Sequence, residues 1–64
     1  MNSKSREIFT IGDRVVVMKN SERIPEYAKI GEHGTVIGYA CNDCKIEFDD
    51  GSVVYIWYVD LEKE

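Results

Sequence analysis

Gly31-Glu32-His33-Gly34-Thr35-Val36-Ile37 and Phe48-Asp49-Asp50-Gly51-Ser52 decide how this chain is read. The first is a glycine-bounded turn opening straight into a run of β-branched residues. The second closes an apolar run with Asp-Gly, a strong local hairpin signal, because glycine accepts the positive φ that tight turns demand. Between them Thr35–Ala40 and Lys45–Phe48 read as two strands, the second alternating Lys45 and Glu47 with Ile46 and Phe48, so that one face is buried and the other wet. Cys41-Asn42-Asp43-Cys44 is the expected hairpin turn between them.

Working outward, Gly12-Asp13 forms a turn before Arg14-Val15-Val16-Val17-Met18-Lys19, whose β-branched content makes it the first strand. Residues 20–30 form the long loop. Pro25 would remove a ladder donor there, and Ile24, Tyr27 and Ile30 are spaced by three, as in one helical turn capping the open end of the core. On the other side, Ser52–Trp57 is the fourth strand, Tyr58-Val59-Asp60 a tight turn, and Leu61-Glu62-Lys63 a short closing strand. Residues 1–8 lack periodicity and are expected to be a flexible tail, with Ile8-Phe9-Thr10-Ile11 covering one edge of the core. A single domain therefore spans residues 9–64. Five short strands at close spacing, with almost no helix signal, imply an all-β small barrel.

Size and composition bound what the chain can do. At 64 residues, with 44% hydrophobic and 31% charged residues, it belongs with soluble globular domains. A chain this short buries only about 60% of its unfolded surface, so its stability is marginal. The apolar run Val53–Val59 falls far short of the roughly 20 residues of a membrane span. The N-terminal residues lack the apolar segment of a signal peptide, which leaves the cytoplasm as the expected location.

The net charge of −4 is unevenly spread. Residues 1–40 hold six Lys/Arg against five acids, whereas residues 41–64 hold two against seven. Phosphate binding needs basic side chains in excess on one face. The only candidate for such a surface is the first loop, with Arg14, Lys19, Arg23 and Lys29, plus the N-terminal tail.

The ordered pieces Gly12-Asp13-Arg14-Val15-Val16-Val17, Gly31-Glu32-His33-Gly34-Thr35-Val36, Ile46-Glu47-Phe48-Asp49-Asp50-Gly51 and Asp60-Leu61-Glu62 resemble the SH3-like barrel superfamily, in its KOW-type and Tudor-like branches. The resemblance covers residues 11–63. It implies a five-stranded SH3-like barrel with a long loop after the first strand and a short 3-10 turn before the last. The KOW branch implies nucleic-acid, ribosome or polymerase contacts through basic loops, the Tudor branch an aromatic cage, and SH3 domains an aromatic groove for proline-rich ligands. So wide a range means that function has to be argued from the site.

Aromatic side chains supply the first site. Tyr39, Tyr55, Trp57 and Tyr58 cluster on the second and fourth strands and the closing turn. Matching Ile56 and Leu61 to the core turns Tyr55 and Trp57 outward by strand alternation; the opposite choice sends Val54 and Ile56 outward and fills the core with the aromatics. With Tyr55 and Trp57 outside, these residues and the Asp49-Asp50 turn form an aromatic and acidic face suited to a protein partner.

Cys41-x-x-Cys44 plus His33 offers at most three of the four ligands of structural zinc, so reduced thiols are expected and no metal or other cofactor, with a metal site or a disulfide as the alternatives. A redox role would need a helix N-terminus at the pair. No nucleophile-and-base pattern or phosphate-cradling glycine loop is present, and no enzyme is expected. The sequence reads as a small adaptor, accessory or inhibitory protein, with nucleic-acid association as the alternative.

Overall fold

The computed structural model describes residues 4–20 and 30–64. A one-turn helix α1 (Lys4–Ile8) precedes strands β1 (Arg14–Val17), β2 (His33–Ala40), β3 (Asp43–Phe48), β4 (Val53–Trp57) and β5 (Leu61–Lys63), with a 3-10 turn (Tyr58–Asp60) between the last two. The five strands form one antiparallel sheet in the order β4-β3-β2-β1-β5. The five strands, the long connection between the first two and the 3-10 turn before the last match the sequence reading. Ile24, Tyr27, Arg23 and Lys29 lie outside the described residues.

Every strand contributes apolar side chains to the same face. Val15, Val17, Val36, Cys44, Ile46, Phe48, Ile56 and Leu61 are buried together, joined by Phe9 from the segment before β1. Ile46, Ile56, Val15, Val17 and Val36 are sealed from solvent, and burying a side chain of this size is worth about 1.5–3 kcal/mol. Gly34 belongs to this packing rather than to a turn. It lies in β2, and a Cβ there would sit 2.5 Å from Ile46 Cγ2 and 2.9 Å from the Glu47 carbonyl oxygen. The glycine that turns the chain into β2 is Gly31, at φ +88°, and His33 is the first residue of the strand.

Two hairpins frame β3. Ala40 pairs with Asp43, leaving only Cys41-Asn42 as the loop, and Cys41 takes φ +55° to close it. Cys44 is therefore a strand residue with its thiol in the core, not part of the turn. At the other end Gly51, at φ +92°, donates its N–H to the Phe48 carbonyl, and the Asp50 carboxylate accepts from both the N–H and the hydroxyl of Ser52.

The N-terminal segment differs from the expected tail. Residues 4–8 are helical, and Ser5 is fully buried, its hydroxyl donating 2.9 Å to the Cys41 carbonyl. Lys4 N–H donates to Asn42 Oδ1 at 3.2 Å. The Tyr39 hydroxyl donates 2.7 Å to the Phe9 carbonyl, and the Arg6 guanidinium lies 5.3 Å from the centre of the Tyr39 ring. Polar side chains, rather than an apolar stripe, fasten this segment to the β2–β3 hairpin. No buried side-chain polar atom among the described residues lacks a hydrogen-bond partner. No helix among them is long and apolar enough to cross a membrane.

Candidate binding face on β3 and β4

Register builds the outer face of the sheet in three rungs. Glu47 pairs with Val53, Lys45 with Tyr55, and Asp43 with Trp57. The intervening residues Ile46, Val54, Cys44 and Ile56 turn inward, which settles the orientation of β4. Ile56 is 1% exposed, Tyr55 41% and Val53 46%, and Trp57 is half-buried. Tyr55 and Trp57 thus stand outside, and the choice with Val54 and Ile56 outside does not occur.

Tyr39 does not join them. Strict alternation from Val36 would send Tyr39 outward with Ile37, but β2 shifts register between Val36 and Gly38. Ile37 is the extra residue of a bulge, and one extra residue moves everything after it to the opposite face. Tyr39 consequently pairs with the buried Cys44 and packs on the core.

The Asp43–Trp57 rung ends in an open groove of about 290 Å³ lined by Cys41, Asn42, Asp43 and Trp57. Tyr58 backs the indole edge-on, with ring centres 6.4 Å apart and planes at 88°. The Tyr58 N–H donates to the Asn42 carbonyl at 3.0 Å, tying the 3-10 turn to the hairpin that lines the groove. Among the described residues no hydrogen-bond or ion-pair partner meets the Asp43 carboxylate. Burial beside the hairpin raises its pKa above the ordinary carboxylate value. One rung on, the Lys45 ammonium lies 5.9 Å from the centre of the Tyr55 ring. The face presents two aromatic surfaces, the partly desolvated Asp43, the exposed Glu47 and one cation.

The Asp49-Asp50 turn lies at the far end of β3 and is engaged internally. Arg14 donates through both terminal nitrogens to Asp49, at 2.9 and 3.0 Å, and through one of them to the Thr35 hydroxyl at 3.0 Å. Its Nε lies 3.7 Å from Glu64 Oε2, and His33 Nδ1 lies 2.6 Å from the same oxygen. The Arg14 hydrogen bonds hold the Asp49 carboxyl below the ordinary value. Arg14 and Asp49, which the sequence places in two rival sites, are partners of each other. Of the basic set, Lys19 is exposed and Arg14 is in this network.

The three residues considered for metal do not gather. His33 pairs with Val16 at one end of β2, whereas Cys44 pairs with Tyr39 near the other and points inward. Cys41 and Cys44 are free thiols, one exposed and one buried. Burial, reinforced by the charge of Asp43, pushes the Cys44 thiol up to about 11. Among the described residues no group of three His, Cys, Asp or Glu side chains could hold a metal ion.

Asp43 and Asn42 are the groove residues that sequence reasoning missed. The signal was present: a two-residue loop at Cys41-Asn42 makes Asp43 the first residue of β3, and alternation then sets it on the face of Lys45, opposite Trp57. No known protein family, curated protein or solved structure matches this chain.

Proposed function

We propose that the chain is a small non-enzymatic binding module, an adaptor, accessory or inhibitory protein of the cytoplasm, that recognises a protein partner through the outer face of β3 and β4. The sheet is read as curling into an SH3-like barrel. Support for this comes from the described residues, whose five strands bury one face in a common core with one short α-helix beside them. The observation that carries the function is the Asp43–Trp57 rung: the Trp57 indole, braced by Tyr58, beside an Asp43 carboxylate with no hydrogen-bond or ion-pair partner among the described residues. A half-buried tryptophan next to a desolvated acid suits a basic side chain, whose stem lies on the indole and whose charge meets the carboxylate. Tyr55 extends the contact along the sheet.

Nucleic-acid binding through the basic set is the less supported reading, since Arg14 is engaged by Asp49 and Glu64.

Affinity capture from lysate, with and without nuclease, compares wild type with Trp57→Ala and Asp49→Asn. A specific protein should survive nuclease, fall at least about tenfold with Trp57→Ala, as hot-spot tryptophans do, and persist with Asp49→Asn. Equal recovery with a folded Trp57→Ala rejects the site, and recovery that collapses with nuclease moves the function to the basic segment.

A further inference from the structure

The free edge of β4 is built differently from the other edge of the sheet. Beyond β3, no strand among the described residues pairs with it. The phase of the β3–β4 ladder shows which of its backbone groups are idle. Phe48 N–H donates to the Ser52 carbonyl and Tyr58 N–H to the Asn42 carbonyl, so the hydrogen-bonded positions of this strand are 52, 54, 56 and 58. In an antiparallel ladder the alternate residues point their N–H and C=O the other way. Val53, Tyr55 and Trp57 therefore aim their backbone groups away from the sheet. Natural edges of this kind are blunted by charge, proline or brevity. β5 shows all but the proline: it has three residues, and Glu62 and Lys63 are exposed on it. β4 is Val-Val-Tyr-Ile-Trp, with no charge, no proline and uniformly high strand propensity.

We propose that this edge pairs, antiparallel, with β4 of a second copy of the chain, joining two five-stranded sheets about a two-fold axis at Tyr55. The strand is complementary to itself in that register. Tyr55 faces Tyr55 of the other copy, and Val53 faces its Trp57, so all three residues with outward backbone groups meet one another. On the outer face this makes aromatic–aromatic and aromatic–β-branched cross-strand pairs, the combinations that stabilise strand pairing. On the inner face it sets Val54 opposite Ile56. None of the paired positions carries a charge, so a net charge of −4 per chain does not bring like charges into the contact. Edge pairing sets the flanks of Tyr55 and Trp57 beside the other copy and leaves the Asp43 side of the Trp57 ring open, so this dimer does not rest on the proposed binding function. A five-residue edge, about 17 Å long, buries less than the roughly 1,200 Å² of a stable complex, so association depends on protein concentration.

Sedimentation equilibrium from about 20 μM to about 1 mM, paired with amide exchange at both limits, tests this by mass action. The mass should rise from 7.4 kDa toward twice that value. Exchange at Tyr55 should slow as the concentration rises, while Val54 and Ile56 stay protected throughout. Tyr55→Lys, and independently Val53→Lys in case the first does not fold, should remain monomeric with an unchanged circular dichroism spectrum. A mass fixed at 7.4 kDa, association without slowing at Tyr55, or folded lysine variants that still dimerise would each overturn the proposal.

Discussion

The two ends of β3 both carry an aspartate beside a hairpin, and the fold treats them oppositely. At one end Asp49 is held by both terminal nitrogens of Arg14, and its carboxyl is depressed by that contact. At the other end Asp43 sits against Trp57 without a polar partner among the described residues, and burial raises it. The more conspicuous acidic turn, Asp49-Asp50-Gly51, is engaged within the fold. Its carboxylates serve Arg14 and the Ser52 end of the turn. The plainer acid is the one left for something else. Acidic composition alone therefore says little about where a partner docks; what counts is which carboxylates the fold has already used.

The largest effect expected from this contrast is in thiol chemistry at the Asp43 end. With Cys44 raised to about 11, its thiolate fraction at pH 8 is about a thousandth, and the thiol is also enclosed. An alkylating reagent should add one label to the native protein, at Cys41, and a second only in denaturant. Two labels at similar rates in native buffer would show that this end of the sheet is open.

Next comes binding. Asp43→Asn should weaken partner capture about tenfold, as loss of one charge-assisted contact does, whereas Asp49→Asn should change it less than twofold. Reversed sensitivities would return the site to the Asp49 turn.

Smaller effects are expected in stability. Tyr39→Phe removes the hydrogen bond to Phe9 and should cost about 1 kcal/mol in chemical denaturation. Cys41→Gly relieves a positive φ on a non-glycine residue and should stabilise by about 1 kcal/mol. If neither variant moves the midpoint, the α1 segment and the Cys41-Asn42 loop do not hold the groove in place.

Most of the sheet was legible because period-two alternation and turn chemistry are local signals. Ile46, Phe48 and Ile56 alternate with polar or aromatic neighbours, Val15 and Val17 lie in a β-branched run after a turn, and Gly31 and Gly51 mark turns whose φ values only glycine adopts readily. Three features were not legible, each for a physical reason. The β2 bulge at Ile37 leaves no mark in composition, yet it alone turns Tyr39 inward. The one-turn helix at residues 4–8 is too short for a periodic pattern, and its anchor, the Ser5 hydroxyl on the Cys41 carbonyl, links residues 36 apart in sequence. The Arg14–Asp49 pair likewise joins β1 to the β3–β4 hairpin, so charge counting by halves of the chain could not find it.

Opposite carboxyl shifts also give opposite pH slopes. Asp49, depressed in the fold, contributes stability that is present above its ordinary value of 3.8 and is lost as pH falls through its lower folded value. Asp43, raised in the fold, opposes folding when charged, and that penalty is relieved as pH falls through its folded value. The most direct test of the contrast is a titration of both side-chain carboxyl carbons by NMR, from about pH 2 to 7 across the ordinary carboxylate range. Asp43 should titrate above the ordinary value of 3.8 and Asp49 below it. A shared midpoint, or Asp49 titrating above Asp43, would contradict the assignment of a spent acid to one end of β3 and an available one to the other.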